Sequence, residues 1–210
     1  MSDVEHPWFA RMLARAAAVE ERKGGAEHRR RLLAGLRGRV IEVGPGSGLS
    51  FAYYPPEVDE LVAVEPEPTL RALATDAARS APVPVRVVDG TADHLPAGDV
   101  SFDAAVVAGV LCSVPDQSGA LAELRRVLRP GGELRFFEHV AARGRRLAAL
   151  QRALDVTLWP RLNGSCRLTR DTEAAIRAAG FAVERLERFS FRPTVVAVPV
   201  APRVLGVARR

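Results

Sequence analysis

Five short apolar runs alternate in this chain with stretches of helical period, and that alternation restricts the fold more than any other feature. The runs are residues 39–43, 61–65, 83–88, 103–108 and 133–139. Most are apolar at consecutive positions, which fits strands buried on both faces. Between them, Leu70, Leu73, Ala74 and Ala77 recur at helix spacing over residues 69–79. A second helical stretch carries Leu121, Leu124, Val127 and Leu128, with Asp116 placed to cap it and Pro130, Gly131 and Gly132 to end it. Such an order predicts a mostly parallel, doubly wound sheet with helices on both faces. Pro84, near the start of the third run, suggests a strand at the sheet edge.

Two late runs, residues 182–189 and 203–209, bring the expected sheet to seven strands. The segment between them holds Pro193, Pro199 and Pro202 and has no room for a packed crossover helix. Strands joined without one should be antiparallel. The fold class is therefore α/β, a single doubly wound sheet with the last strand antiparallel. Two helices are expected ahead of the sheet, over residues 8–22 and 26–36, with a break at Lys23, Gly24 and Gly25. Two more are expected over 145–158 and 169–179. The last has Thr169 as N-cap, Asp171 and Glu173 in its first turn and Gly180 after its end. The expected organisation is one structural domain, with a helical lid over residues 1–37 and the sheet over 38–210.

The chain has 210 residues, 48% hydrophobic and 26% charged, which suits one packed domain rather than a disordered chain. Its net charge is +5, and all 30 basic residues except Lys23 are arginines. They fall in small scattered groups, as on solvated helix faces, so a nucleic-acid partner is not indicated. No segment approaches the roughly 18 apolar residues that cross a bilayer. Asp3, Glu5 and His6 stand where a secretory leader would be basic, so a cytoplasmic location with reduced thiols is expected. Two cysteines, Cys112 and Cys166, are too few for a disulfide framework, and no His/Cys cluster has metal-ligand spacing, so no metal is expected.

The loops after the strands carry the chemistry. Glu42-Val43-Gly44-Pro45-Gly46-Ser47-Gly48 closes the first strand. Glycines there let the backbone approach a ligand and turn tightly. A nicotinamide loop has G-x-G-x-x-G, whereas the third glycine here comes one residue early; no Gly-Lys-Ser/Thr follows, which excludes a Walker loop. Glu65 ends the second strand, where an acid sits beside the first loop and can accept two ribose hydroxyls. The third strand is followed by Asp89-Gly90-Thr91-Ala92-Asp93-His94-Leu95-Pro96, placed to touch an adenine edge across the carboxyl end of the sheet.

Together these residues resemble the class I S-adenosylmethionine-dependent methyltransferases (the type 11 domain) over residues 38–140. EVGPGSG is similar to their first motif, Glu65 to their ribose acid, GTADHLP to their adenine loop and VLRPGGELRF to the entry of their fifth strand. Thr91 departs from the pattern, since many members have aspartate there. The resemblance implies S-adenosylmethionine as cofactor and S-adenosylhomocysteine as product. It makes Glu42, Gly44, Pro45, Gly46, Gly48, Glu65, Pro66, Thr91, Ala92, Asp93, Gly109 and Val110 the cofactor-binding candidates. A narrower resemblance, to the methyltransferase-like seven or alkyl thiol methyltransferases, lies in LCSV at 111–114, RVLRPGG at 126–132, EHV at 138–140 and NGSCRLTR at 163–170. Tyr54-Pro55-Pro56 is also similar. Bacterial quinone and phospholipid methyltransferases share most of these motifs.

Transfer from a sulfonium is an in-line displacement, for which alignment supplies on the order of 7–11 kcal/mol. A thiol acceptor, with a pKa of about 8.5, needs at most a modest base. His139, beside Glu138 at the end of the fifth strand, is the candidate base or orienter; adjacent strand residues face opposite ways, so one of the two should face the pocket. Cys112 reads as a small buried residue near the donor methyl, and Cys166 has no assigned part. Trp8 and Phe9 suit either a lid or core packing. Gly109-Val110-Leu111-Cys112-Ser113 replaces the Asn/Asp-Pro-Pro-Tyr/Phe used on exocyclic amines, and its apolar character suits a small lipophilic acceptor. The expected activity is methyl transfer to such an acceptor, a thiol favoured. The alternatives are a quinone, phospholipid or RNA methyltransferase, or a non-catalytic adenosylmethionine-binding protein.

Overall fold

Seven strands form one sheet in the order β3-β2-β1-β4-β5-β7-β6. They are β1 (Gly38–Val43), β2 (Val58–Val64), β3 (Val85–Val88), β4 (Phe102–Ala108), β5 (Leu128–His139), β6 (Ala182–Ser190) and β7 (Pro202–Arg209). The computed structural model describes residues 7–157, 159 and 166–210, without the side chains of Phe9, Val195 and Val196. The expectations for residues 1–6, for Phe9 as a lid residue, for the helix end at 158 and for Asn163, Gly164 and Ser165 lie outside the described residues. β1 runs parallel to β2 and β4, and the parallel pairing continues to β3 and β5. β7 is antiparallel to β6, as the short proline-rich connection between them requires, and also to β5.

Helices pack on both faces. Ile41, Val62, Val107 and Phe136 face α4 (Gln117–Val127), through Leu121 and Leu124, and α6 (Thr172–Ala178), through Ile176. Val40, Leu61, Ala63 and Phe137 face α2 (Ala26–Leu33), through Leu32 and Leu33, and α3 (Pro68–Ala78), through Ala74. The strand order reverses between β1 and β4, and in open α/β sheets ligands bind in the crevice at such a switch point. β3 lies at the edge, and the Pro84 carbonyl accepts the Leu61 N–H at 2.9 Å. α1 (Pro7–Glu20) leads into α2 through a π-turn in which Gly24 adopts φ +114°, the break expected at Lys23 to Gly25. Trp8 is exposed at one end of α1.

Two expectations need correction. β5 begins at Leu128 and not at residue 133, because Leu128 pairs with Phe102 and a register shift absorbs the Pro130-Gly131-Gly132 turn. The cap of α6 is Asp171, whose carboxylate accepts the Ala174 N–H at 3.1 Å, and not Thr169. The Thr169 hydroxyl instead donates to Asp155 of α5 (Arg145–Asp155) at 2.6 Å, which holds it outside the helix. Among the described residues no helix is long and apolar enough to cross a membrane.

Gly206 of β7 gives this part of the sheet a stability test. A Cβ there would lie 2.3 Å from Cζ of buried Phe136 and 2.7 Å from the Arg185 carbonyl oxygen. Gly206→Ala should therefore destabilise the fold by about 1–3 kcal/mol through overpacking. A lowered urea midpoint at unchanged slope is the expected result.

Candidate active site

The loop leaving β1 is shaped by three left-handed glycines, Gly44, Gly46 and Gly48, at φ +68°, +59° and +78°. A Cβ at Gly44 would meet Val110 Cγ2 at 2.6 Å, so this loop and the loop after β4 touch. Gly46 and Gly109 instead face open space, with nothing within 4 Å of where a Cβ would stand. Backbone bare of side chains on both sides of the switch point makes a cradle. The Pro45 carbonyl closes the turn by accepting the Gly48 N–H at 3.0 Å.

Glu65 stands directly against this cradle. Its carboxylate accepts the N–H of Gly46 at 3.0 Å and of Glu67 at 3.1 Å. Only 5% of the residue is exposed, and burial pushes its carboxyl up to about 7 against the pull of those bonds. A carboxylate has about four acceptor positions, so capacity remains for further donors. Arg71 fixes the turn by donating to the carbonyls of Glu65 and Pro66 and by pairing with Asp89 at 2.9 Å. After β3, Thr91 and His94 form a small antiparallel bridge, with Thr91 and Asp93 exposed and Ala92 half-buried.

Glu42 lies on the sheet face of Val40, fully buried. The Ser50 hydroxyl donates to it at 2.7 Å and the Tyr54 hydroxyl at 3.0 Å. Burial raises its carboxyl despite these donors. Tyr54 thus gains a partner that sequence spacing did not suggest.

The loop after β4 is held from two sides. Glu138, a catalytic candidate from the sequence, is wholly buried, and its carboxylate accepts the backbone N–H groups of Val110 (2.9 Å), Leu111 (3.0 Å) and Cys112 (3.3 Å). From the other side the Arg170 guanidinium donates to the carbonyls of Leu111 and Val114. The Arg167 N–H donates to the Cys112 carbonyl at 2.8 Å. Asp155 secures the incoming segment through the N–H groups of Leu168 (2.7 Å) and Thr169 (2.9 Å).

These bonds assemble a group that sequence spacing concealed. The Cys112 and Cys166 thiols lie 3.4 Å and 3.6 Å from Nδ1 of His139. Each is 27 residues from His139 in the chain, too far for any local ligand pattern. This corrects the expectation that no His/Cys cluster forms. Cys112 follows β4 and His139 ends the adjacent β5, whereas Cys166 arrives through the Arg167 and Asp155 contacts. The Cys112 thiol is pushed well up by its hydrogen bond to the free Cys166 thiol and by burial, while that same hydrogen bond and His139 draw the Cys166 thiol down.

A family model described as "Methyltransferase domain" matches residues 41–136. The human protein "Thiol S-methyltransferase TMT1B" is 34% identical over 181 residues, covering 84% of this chain and 73% of the relative. Human "Thiol S-methyltransferase TMT1A" is 32% identical over 193 residues, covering 86% and 78%. The chain belongs to the class I S-adenosylmethionine-dependent methyltransferases, in the thiol S-methyltransferase group. A solved methyltransferase of Thermotoga maritima, titled a possible histamine N-methyltransferase, shares the fold at TM-score 0.70 and 24% identity, covering 97% of both chains. S-adenosylmethionine is the cofactor of this methyltransferase, and the site fits it. The bare backbone at Gly46 and Gly109 leaves room, and the buried Glu65 carboxylate has acceptor capacity to spare.

The raised Glu65 carboxyl makes stability depend on pH. It sits near 7 in the fold against an ordinary 4.5. Between those values the folded chain binds the extra proton, so stability falls as pH rises. The contribution is complete below about 4.5 and gone above about 7. Urea unfolding across this window should show the empty wild-type chain losing about 3 kcal/mol relative to Glu65→Gln.

Proposed function

We propose that this chain transfers a methyl group from S-adenosylmethionine to the sulfur of a small, rather apolar thiol. The observation that carries the reading is the Cys112, His139 and Cys166 group, whose Cys112 belongs to the mainly apolar loop that touches the glycine cradle through Val110. Similarity to the two human thiol methyltransferases supports the same acceptor class. A bound cofactor supplies an electrophilic methyl group on a sulfonium.

Glu65 accepts the ribose hydroxyls, which favour its ionised form and offset the burial that now raises its carboxyl. Gly44, Pro45, Gly46 and Gly48 form the floor of the cradle, and Gly109 and Val110 its opposite wall. Pro66 and the turn of Thr91, Ala92 and Asp93 border the adenine. Glu42 supports the first loop through Ser50 and Tyr54. Glu138 takes no proton from the acceptor in this reading. Both its oxygens serve the backbone of the loop after β4, so it positions that loop. His139 orients the acceptor sulfur, and the thiol needs little further activation because it is already partly ionised near neutral pH. Alignment of sulfur and methyl then supplies most of the acceleration.

The deciding experiment follows labelled methyl from adenosylmethionine to a small lipophilic thiol, with an amine, a quinol and tRNA in parallel. Thiol-selective transfer is expected; transfer to another acceptor instead would overturn the reading. Glu65→Ala should weaken adenosylmethionine binding at least about 10-fold by calorimetry, the size of one charge-assisted hydrogen bond. Unchanged affinity would remove the ribose assignment.

A further inference from the structure

Within the thiol-transfer reading, on which the inference rests, the two cysteines and the histidine form more than a wall. We propose that Cys112 Sγ, His139 Nδ1 and Cys166 Sγ hold a zinc ion, with the fourth coordination position open to the acceptor thiol. The three donor atoms lie within 4.8 Å of one another. Tetrahedral zinc with bonds of about 2.3 Å to sulfur and about 2.05 Å to nitrogen spaces a sulfur and a nitrogen about 3.5 Å apart. The two sulfur-to-nitrogen distances here are 3.4 Å and 3.6 Å, so an ion fits with little movement.

Among the described residues no fourth His, Cys, Asp or Glu joins the set. Glu138 lies nearby, but its carboxylate is bound to the backbone of the loop after β4. Three protein ligands and one open position is the arrangement of zinc sites that act on substrates, whereas structural sites fill all four. The arrangement is also fixed in advance. The Arg167 N–H to the Cys112 carbonyl ties the two cysteine segments together at 2.8 Å, and Glu138 holds the Cys112 N–H. Backbone anchoring of this kind orients ligands and raises affinity.

The open position suits a thiol because zinc accepts soft sulfur ligands and favours their deprotonated form. The acceptor loses its S–H proton to solvent as its sulfur bonds the zinc. A lone pair on that sulfur then forms the new bond to the methyl carbon. The sulfonium C–S bond breaks and its electron pair stays on the departing sulfur. The thioether, a poor ligand, leaves with S-adenosylhomocysteine, and the zinc is ready for the next thiol. His139 acts as a ligand in this scheme, so no side chain has to serve as general base.

The test uses the full chain, reduced with a phosphine because thiol reductants would occupy the open position, stripped with a chelator and titrated with cobalt(II). The expected result is one ion per chain, with thiolate-to-cobalt charge-transfer bands and the visible bands of a tetrahedral site. An alkanethiol should shift the visible bands, and zinc should shield both cysteines from alkylation. Cys112→Ala and Cys166→Ala should lose the charge-transfer intensity. The shielding and titration on the wild-type chain stand even where a variant fails to fold. Chelation should slow thiol methylation about 10-fold or more, and zinc should restore it. A reduced, folded chain that binds neither ion overturns the proposal, as does a metal-free chain that methylates thiols at the full rate; in the second case the thiol reading survives. Metal binding with a thiol-induced shift but no methyl transfer keeps the metal site and removes the thiol-transfer reading.

Discussion

The Glu138 carboxylate is the contact on which the rest of the site depends. It is a buried acid at the end of β5, and burial alone would drive it toward its neutral form. Three backbone N–H groups from the loop after β4 oppose that drive. The exchange works in both directions. The loop turns away from the sheet and has no ladder partners for its N–H groups, and a buried orphan donor costs about 1–3 kcal/mol. One carboxylate thus satisfies three donors and sets the path of Gly109 to Cys112. The Val110 side chain reaches the glycine loop because of that path, and Cys112 reaches His139.

The sheet supplies the frame for this contact. Reversal of strand order between β1 and β4 opens a crevice at their carboxyl ends, and the glycine loop and the loop after β4 form its two walls. Left-handed Gly46 and Gly109 keep those walls bare. Glu65 closes the remaining side and is held by the N–H of Gly46, so the acid and the cradle are one hydrogen-bonded unit. The crevice thus has one wall carried by β1 and β2 and a facing wall carried by β4 and β5.

Residues far along the chain complete the wall built on β4 and β5. Asp155 and Gln151, both buried on α5, bind the backbone of Leu168, Thr169 and Ala142. Arg170 then grips the loop after β4 by its carbonyls while Glu138 grips it by its N–H groups. A loop held at both donors and acceptors has little freedom, which is what a site acting through alignment requires. The Asp155 contact also displaces the start of α6, since Thr169 cannot bond Asp155 and cap the helix together.

Much of this was legible in the sequence. Apolar runs and helical stretches reported the doubly wound sheet because burial imposes period locally. The glycine spacing reported a left-handed, side-chain-poor turn after β1, and the end of the second apolar run placed Glu65 against it, because both are local properties of the chain. The proline-rich segment before β7 reported the antiparallel pair through its lack of room for a helix. Other features belonged to the tertiary structure alone. Glu138 and His139 are neighbours in sequence, yet one holds a loop and the other meets two thiols, a division set by the path of the chain after β4. Cys166 joins His139 across 27 residues because the Arg167 N–H donates to the Cys112 carbonyl and the Leu168 N–H donates to the Asp155 carboxylate. Periodicity and spacing record what each residue does within its own element. The meeting of three loops depends on register and on long-range backbone bonds, which no local pattern encodes.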